Sequence, residues 1–450
     1  SESKNLFGDA VQLTDDQRGA RRRIEVQLSE VESAISDLEA GRASRAGFDF
    51  EARFGPSLSA EGFDVIATNP PWVRTRRIDA AQRSRLKETY RCFAGGLWDG
   101  AKSAGIRAPF GLQVDLSSVF VERALGLLAP GGRLSVLLPA KGLRSLNGAG
   151  LRRILSEHRL VRLEDFSEAA ESMFDATVYP AVLEVKKPTR GASASDPNLG
   201  TEDATDSMEV AVWQGDERIR FCRRPRDLRL VSDDPAAPWV TVPERVLEGL
   251  EQLFEAGGLL GEQEGLPVQR GVMTGRNAAF LGTRAFLREA MGRDLPQRWT
   301  RPVIGGRDIG PGHVDPTQRI IWPIDGELNC LERLPDRVVE YFEGHRAELE
   351  ERSDHRSRDP LWQLFRVNSG IDSAKVVWRD LSPMLQAAVA PSDVVTLNTV
   401  YFIPCPDERR ARSMVAWFHS LPVRVALRAM AERARGGWRR EFAWVMRMIP

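Results

Sequence analysis

Short apolar runs alternate with amphipathic stretches between residues 62 and 214. The first run, FDVIATN, ends in turn-forming residues and is followed by DLSSVFVERALGLL, whose apolar residues recur at helical spacing. A PGG turn signal then leads into a second apolar run, RLSVLLP. A further helix (LRRILSEH) and three β-rich pieces (VRLEDF, ATVYPAVLEVKK and MEVAVWQ) follow. Strands separated by helices predict an α/β fold with a mainly parallel, doubly wound sheet that binds ligands at the carboxyl ends of its strands.

The length of 450 residues favours two domains of roughly 200 residues each. We expect a helical segment over residues 1–60, because apolar residues from Ile24 to Leu38 recur at alternating spacings of four and three. This helix is expected to pack on its own domain or on a neighbouring helix rather than to form an independent coiled coil. Residues 61–189 form the predicted Rossmann-like domain, residues 190–238 a linker with peripheral strands, and residues 239–450 a second, α+β domain.

The charge balance and the cysteine pattern are those of an ordinary globular protein. Lysine and arginine total 63, as do aspartate and glutamate, so any basic surface for a nucleic acid has to be local. The four cysteines lie far apart, without a CxxC pair or histidines at ligand spacing, which predicts a reducing compartment and no metal site. No signal peptide and no membrane-spanning apolar run is found, so we predict a cytoplasmic protein without membrane association.

The turn after the first apolar run, Asn69-Pro70-Pro71-Trp72, has a specific chemical capacity. Each proline fixes its own φ, and Asn69 precedes a proline, so the turn is stiff. Pro71 has no N–H, which leaves the Pro70 carbonyl as a free acceptor beside the amide oxygen of Asn69. Two such acceptors can hold both hydrogens of an exocyclic aromatic amine, such as that of adenine, and favour its lone-pair-localised form. Trp72 would offer a flat face on which the base stacks after it is flipped out of a duplex.

These four residues resemble the (N/D)PP(Y/F/W) motif of the amino-methylating DNA methyltransferases. GFDVIATNPPWV, DLSSVFVERALGLLAPGGRLSVLLP and ATVYPAVLEV together resemble the adenine-specific methylases of type IIG and related phage-defence systems. The resemblance implies a restriction-modification or phage-defence enzyme that methylates the exocyclic amine of a flipped adenine, with Asn69 to Trp72 as its catalytic residues. It also implies Phe174 as a second wall of the base pocket, although an ordinary core phenylalanine is equally compatible.

Beyond the linker the resemblance continues. VQRGVMTGRNAAFL, residues 268–281, resembles the entry to the target-recognition region of these enzymes, and RPVIGGRDI and AKVVWRDL resemble its later strands. The resemblance implies that residues 239–450 read bases and bind double-stranded DNA. Within the entry segment, the glycines would allow a tight turn near DNA, and the candidate contacts to phosphate or base edges are Thr274, Arg276 and Asn277.

Arginines cluster at two further places. Arg74, Arg76 and Arg77 directly follow the NPPW turn. The last 44 residues carry ten arginines against four acidic residues, interleaved with tryptophans. This local excess predicts phosphate contacts, with Arg439 and Arg440 as candidates, although a solvated helix face is the ordinary alternative.

The family uses S-adenosylmethionine, held by a glycine-rich loop upstream of the NPPW motif, and this sequence has no recognisable loop of that kind. FAGGLWDG, APGG, GGLLG and IGGRDIGPG all lie downstream, and none joins a strand to a helix in the required way. We therefore expect an additional polypeptide or N-terminal region to supply the cofactor loop, and the chain alone to bind S-adenosylmethionine weakly. Asp115 could orient the cofactor, or could cap the helix that it precedes.

Several alternatives stay open. Pro404-Cys405 has the outline of the cysteine nucleophile of cytosine-C5 methyltransferases, although a buried structural cysteine explains it better. Asp175 with Glu184 and Lys186 has the D…ExK outline of a metal-dependent nuclease, a pattern common by chance. At the level of function, the chain could be a non-catalytic DNA-binding or specificity subunit of a defence complex. An NPP turn could also serve RNA or the amide of a protein glutamine.

Overall fold

The computed structural model describes residues 61–74, 77–93, 98, 114–169, 178–189, 207–230, 233–291 and 299–450, together with residues 19, 22, 24–26, 28–29 and 54–55. The chain divides into two compact units, Ser1–Gly62 and Phe63–Pro450. In the first unit, the described residues between positions 19 and 29 are helical, and the rest of the predicted N-terminal helix lies outside the described residues. Residues 190–206 of the predicted linker also lie outside them, so the domain boundaries stay a prediction.

A six-stranded mixed sheet forms the first half of the second unit. Its strands are β1 (Phe63–Thr68), β2 (Leu128–Pro139), β3 (Arg159–Asp165), β4 (Pro180–Lys186), β5 (Met208–Gln214) and β6 (Glu217–Arg223). Their spatial order is β1-β2-β4-β3-β5-β6. The α/β prediction is confirmed, but the expected mainly parallel sheet is mixed. Only the β1–β2 and β3–β5 pairs are parallel, because β4 enters antiparallel between β2 and β3, and β5 and β6 form a hairpin.

Four helices accompany this sheet among the described residues. They are α1 (Ala80–Thr89), α2 (Leu116–Leu127), α3 (Lys141–Arg144) and α4 (Ala149–Ser156). The apolar face of α2 contributes Val119, Val121 and Leu125 to a core that also contains Leu134 and Val136 of β2. Burial of this face against the sheet is what stabilises α2, whereas α1 buries no residue.

Helix α2 ends at Leu127, before the PGG sequence that was predicted to stop it, and PGG lies inside the irregular beginning of β2. Phe63 of β1 pairs with Leu128, and Val65 already pairs with Arg133, so β2 bulges in between. A Cβ atom on Gly132 would lie 2.8 Å from the carbonyl oxygen of Phe63. The close approach of the two strands therefore requires glycine at this position.

The second half of the unit is built from smaller sheets. Its strands are β7 (Gln269–Arg270), β8 (Leu281–Gly282), β9 (Thr300–Ile304), β10 (Ile309–Gly310), β11 (His313–Val314), β12 (Gln318–Ile321), β13 (Lys375–Arg379), β14 (Leu381–Ser382), β15 (Ala387–Ala390), β16 (Val395–Thr396), β17 (Val400–Pro404), β18 (Glu432–Arg433) and β19 (Arg439–Arg440). They are ordered β16-β9-β12-β8, β15-β13-β17-β7, β14-β19-β18 and β10-β11. Antiparallel pairs predominate, as expected for an α+β region.

Helices cover these sheets. They are α5 (Glu244–Ala256), α6 (Asn277–Phe280), α7 (Arg284–Met291), α8 (Asp336–Glu343), α9 (Arg346–Glu350), α10 (Glu408–Phe418), α11 (Leu421–Met430) and α12 (Ala443–Arg447). Helix α10 packs on β13 and β15, and its Phe418 meets Trp378 edge to face at 5.7 Å in the same core. Ala149 of α4 belongs to this core too, so both halves of the unit share apolar packing. In the described part of the chain, no helix combines the length and the apolar character needed to cross a membrane.

Candidate functional site

The NPPW turn lies at the carboxyl end of β1, which is an edge strand among the described strands. Asn69 and Pro71 are exposed, Trp72 is half-buried and Pro70 is buried. Because β1 and β2 are parallel, and β3 runs in the same direction, the carboxyl ends of all three strands lie at one edge of the sheet. Asn69 is thus accessible at the edge where ligands were predicted to bind, whereas Trp72 is half-buried and its indole Nε1 is buried.

The beginning of helix α2 holds the chain that follows the turn. The backbone N–H of Leu116 donates to the carbonyl of Val73 at 2.8 Å, and Arg74 forms an isolated antiparallel bridge with Asp115. The N–H of Arg77 then donates to the Arg74 carbonyl at 2.9 Å, which closes a turn. The position of the NPPW turn is therefore coupled to a helix whose apolar face is buried in the core.

Asp115 acts as the N-cap of α2. Its Oδ1 accepts hydrogen bonds from the backbone N–H of Ser117 at 3.2 Å and from the Ser117 hydroxyl at 2.9 Å. Its Oδ2 is buried and lies 3.6 Å from Nζ of Lys141, the first residue of α3. The carboxylate is used inside the fold, which favours the N-cap role of Asp115 over the predicted cofactor contact.

Glu432, a half-buried residue on β18, is a carboxylate on which charges from the turn and from the C-terminal region act. Burial raises the pKa of Glu432, and the positive charges of Arg440, Lys141 and Arg74 oppose that rise. Arg440 also lies over the ring of Phe442, 5.5 Å from its centroid. Arg440 pairs with Glu432 across the β18–β19 strands, and Arg74, from the opposite end of the unit, is close enough for its charge to act on the same carboxylate.

Glu168, which follows β3, holds three arginines of the C-terminal region. Its carboxylate pairs with Arg428 at 2.8 Å, with Arg433 at 3.4 Å and with Arg439. Burial alone would raise the pKa of Glu168, but the arginines, Arg439 foremost, hold it below its usual value. The guanidinium of Arg433 also lies 4.5 Å from the ring centroid of Tyr179, the residue that precedes β4. The β18–β19 hairpin thus covers the carboxyl edge of the sheet beside β3 and β4.

Arg439 lacks the exposure that phosphate contact requires. It is 8% exposed, and its guanidinium donates to the Arg428 carbonyl at 3.0 Å as well as pairing with Glu168. Because the guanidinium is used inside the fold, we correct the predicted role of Arg439 to a structural one. Arg440 is half-buried and stays a candidate for contact with DNA.

The TGRN segment divides into one buried and two exposed candidates. Thr274 is 2% exposed, and its hydroxyl donates to Oδ1 of Asn277 at 2.6 Å, so its side chain orients the start of α6 and is not presented to a ligand. Arg276 and Asn277 are exposed. Arg276 pairs with Glu348 at 2.8 Å, a surface contact that a phosphate could displace at small cost.

Packing inside the protein accounts for the two glycines of this segment. A Cβ atom on Gly271 would lie 2.3 Å from the carbonyl oxygen of Leu397. Gly275 adopts a φ of +71°, and a Cβ there would lie 2.6 Å from Cδ of Arg352. The tight backbone was predicted to approach DNA, but at these positions it approaches a neighbouring strand and a buried arginine.

Phe174, Arg76 and Asp175 lie outside the described residues, so their roles stay predictions. Cys405 is 3% exposed and burial raises the pKa of its thiol, which supports the structural alternative over a thiolate nucleophile. Glu184 of the nuclease outline lies 3.6 Å from Arg162. The described residues contain no group of side chains arranged to hold a metal ion.

Sequence reasoning missed several residues of this edge, namely Lys141, Glu168, Arg428, Arg433 and Glu432. Lys141 and Glu168 each follow the end of a strand, so the rule that ligands bind at carboxyl ends was a signal that could have found them. The arginines belong to the basic C-terminal region that was noted as a whole. Glu432 carried no local signal, because its surroundings come from distant parts of the chain.

A mixed α/β sheet with an exposed Asn69 in the NPPW turn at the end of a strand is the arrangement that the sequence motifs predicted for a methyltransferase. Residues 6–174 match the family model of the Eco57I restriction-modification methylases. The chain is 24% identical to the Type II methyltransferase M.XhoI of Xanthomonas vasicola over 399 aligned residues. The alignment covers 86% of this chain and 68% of that protein. The chain is 23% identical over 393 residues to the Type II methyltransferase M.PaeR7I of Pseudomonas aeruginosa, covering 86% and 64%. The chain is a relative of the restriction-modification methylases, as the sequence motifs predicted.

Two solved structures extend the comparison. The type IIL restriction-modification enzyme MmeI in complex with DNA aligns with a TM-score of 0.49 and 12% identity, over 76% of this chain and 41% of that one. The type IIG restriction endonuclease BpuSI aligns with a TM-score of 0.34 and 13% identity, over 86% and 46%. The chain spans about two thirds of the curated relatives and less than half of these two structures.

Proposed function

We propose that the chain forms the base-binding and DNA-binding parts of a sequence-specific DNA adenine methyltransferase of a restriction-modification or phage-defence system. The observation that carries the proposal is the accessible NPPW turn, anchored by α2 at the carboxyl edge of the sheet, with the arginine-rich hairpin covering the same edge. The relation to Type II methyltransferases supports methyl transfer to DNA as the reaction.

At the reacting centre, the amide oxygen of Asn69 and the carbonyl of Pro70 accept hydrogen bonds from the exocyclic amine of adenine. This localises the nitrogen lone pair and directs it at the methyl group, so the enzyme needs no covalent nucleophile. Trp72 stacks on the base and offsets part of the cost of flipping it out of the duplex. Pro71 fixes the geometry of the turn.

The arginines around this edge bind the DNA backbone. Arg74 and Arg77 are exposed beside the turn, and the charges of Arg74 and Arg440 act on the same carboxylate, that of Glu432. Arg276 and Asn277 lie exposed in the target-recognition region. Contacts to phosphate position the duplex, while contacts to base edges select the sequence.

S-adenosylmethionine is the methyl donor that the resemblance implies. The described residues do not by themselves form a site for it, because the one candidate carboxylate, Asp115, is used as an N-cap and as the partner of Lys141. We propose that a further polypeptide or further sequence supplies the cofactor loop. Calorimetry on the chain alone should accordingly give weak S-adenosylmethionine binding, and submicromolar affinity would contradict this part of the proposal.

Methyl transfer to duplex DNA of high sequence complexity tests the function, in a preparation that contains the further polypeptide or sequence supplying the cofactor loop, and with the modified nucleoside identified by mass spectrometry. We expect N6-methyladenine, and a loss of about 100-fold or more in Asn69→Ala with DNA affinity unchanged. Asn329→Ala, which alters an exposed asparagine of the second half of the unit, is the matched control. Equal yields from wild type and Asn69→Ala, or a different methylated base, would overturn the assignment.

A second candidate is a non-catalytic DNA-binding or specificity subunit of a defence complex. The use of the Asp115 carboxylate as an N-cap and as the partner of Lys141, rather than as a cofactor contact, favours it. The same assay, run with and without a candidate partner chain, separates the two functions. Methylation that requires the partner but does not respond to Asn69→Ala would assign catalysis to the partner.

A further inference from the structure

The C-terminal arginines surround a cavity of about 350 Å³ that the NPPW chemistry does not use. Arg424 and Arg428 of α11 line it on one side, and Arg433 and Arg439 of the β18–β19 hairpin on the other. Glu168, which follows β3, also lines the cavity. The cavity therefore lies between the C-terminal region and the carboxyl edge of the six-stranded sheet.

The charges that line this cavity are unbalanced. Arg428, Arg433 and Arg439 share the single carboxylate of Glu168, and the described residues place no carboxylate in contact with Arg424. The other acidic lining residue is Glu441, and burial raises its pKa to about 8, so it is mainly uncharged at neutral pH. Four guanidinium groups thus face one ionised carboxylate, and an anion that enters the cavity is attracted.

A larger cavity in the described part of the chain shows the opposite balance. It has a volume of about 580 Å³ and is lined by Arg346, Glu343, Glu350 and Asp359 among others. Arg346 pairs with Glu343 and with Glu350, both at 2.6 Å. The positive charge of Arg346 in the larger cavity is therefore already neutralised by two carboxylates. The smaller cavity differs in its excess of guanidinium groups, not in its volume.

We propose that the cavity bounded by Arg424, Arg428, Arg433 and Glu168 binds a phosphate group, with Arg424 and Arg428 as its accessible ligands. Arg428 has a side chain that is 66% exposed and Arg424 is half-buried, whereas Arg439 is buried and orients Glu168. Planar guanidinium groups are the side chains best suited to bidentate phosphate binding.

The rim of the cavity favours the DNA backbone as the source of that phosphate. Met384 and Leu421 line it and are 50% and 73% exposed. Exposed apolar side chains offer nothing to a small inorganic anion, but they can pack against the deoxyribose on either side of a backbone phosphate. This assignment of the source rests on the proposed function, whereas the binding of a phosphate group does not.

Fluorescence anisotropy with a labelled duplex, titrated across salt concentrations, tests the proposal on the full chain. We expect Arg424→Gln and Arg428→Gln each to weaken binding roughly fivefold at about 150 mM salt and to reduce the slope of log Kd against log salt by about one. The control is Arg412→Gln on α10, an arginine with a 74% exposed side chain that does not line the cavity, and it should leave both quantities unchanged.

A second arm uses inorganic phosphate at constant ionic strength, followed by calorimetry. If the two variants lose phosphate binding but keep wild-type DNA affinity and salt slope, the cavity binds free phosphate and the DNA source is wrong. If both variants match Arg412→Gln in both arms, the proposal is overturned. A wild-type chain that binds no DNA at any salt concentration would instead count against the proposed function. The calorimetry with inorganic phosphate would then still show whether the cavity binds a phosphate group.

Discussion

The backbones of Val73 and Leu116 are joined by a hydrogen bond of 2.8 Å, which ties the residue after the NPPW turn to the first residue of helix α2. Helix α2 is fixed in turn by the burial of its apolar face against β2. The turn contributes few buried side chains of its own, since only Pro70 among its four residues is buried. Its geometry therefore depends on the stability of a neighbouring helix, which can be tested at the helix cap.

Asp115→Ala should lower the free energy of unfolding by about 1 kcal/mol, because it removes the N-cap of α2. It should also reduce methyl transfer by loosening the turn. The matched control is Asp79→Ala, which removes the same kind of cap from α1, accepting from Gln82 at 2.9 Å. Since α1 buries no residue, this control should cost less in urea unfolding. Equal losses of methyl-transfer activity in Asp115→Ala and Asp79→Ala would show that α2 does not position the turn.

Trp72→Ala should reduce kcat/KM for methyl transfer by roughly 5- to 150-fold, because stacking on an aromatic side chain contributes about 1–3 kcal/mol per base. Trp72→Phe keeps an aromatic face and should retain most of the activity. Steady-state kinetics on duplex DNA measure both, and thermal unfolding checks that the variants are folded. If phenylalanine and alanine are equally damaging, the indole has a role other than stacking.

Arg152 is fully buried, and within the described part of the chain its guanidinium donates to backbone carbonyls alone. Its Nη1 donates to Ser145 at 2.7 Å and its Nη2 to Ala236 at 2.6 Å, which joins the segment after β2 to a distant loop. Arg152→Met should cost about 3 kcal/mol or more in urea unfolding, since it leaves buried acceptors without donors. The adjacent Arg153→Met is the control. Its side chain is 38% exposed and lies 3.4 Å from Asp234, so a loss below about 1 kcal/mol is expected.

Glu441 should make the stability of the chain depend on pH. Burial raises its pKa from 4.5 to about 8, so between these values the folded state binds more protons than the unfolded state. The free energy of unfolding should therefore fall as the pH rises through this window, by about 1.4 kcal/mol per pH unit at most, and level off above it. Glu441→Gln lacks the titrating group but can still accept the Ser382 hydroxyl, which donates to Glu441 at 2.9 Å.

Urea unfolding of wild type and Glu441→Gln, at several pH values between about 5 and 9, measures this effect as a difference. Other acidic groups titrate in both proteins and cancel. A difference in unfolding free energy that stays constant with pH would mean that Glu441 is ionised throughout and that the phosphate cavity is less positive than proposed.

Local patterns were sufficient to predict β1, α2 and β2 around the NPPW turn, because apolar periodicity and turn residues act over a few positions. They did not predict α1, which buries no residue. The same holds for Asp115, whose N-cap role depends on residues two positions away. The order of the strands did not follow from these patterns. The placement of β4 between β2 and β3 is decided by long-range pairing, and nothing in ATVYPAVLEVKK specifies its neighbours.

The same limit applies to the charged residues of the site. Glu168 and Arg439 are 271 positions apart, so their pairing was not visible from sequence. Arg439 was predicted to face DNA because it lies in a basic segment. Some arginines of such a segment can instead pair with carboxylates inside the fold, as Arg439 does with Glu168. Composition indicated the right region, and only the fold decided which of its arginines are accessible.

The contact between Glu168 and its three arginines has a consequence for engineering. Under the proposed function, exchanging the C-terminal region between homologues is a natural way to seek new sequence preferences. In this chain Glu168, in the first half of the unit, anchors that region through three arginines. A chimera that imports the C-terminal segment without a matching acid after β3 would carry unpaired buried cations at its junction. Donor and recipient should therefore be chosen as a compatible pair rather than as interchangeable modules.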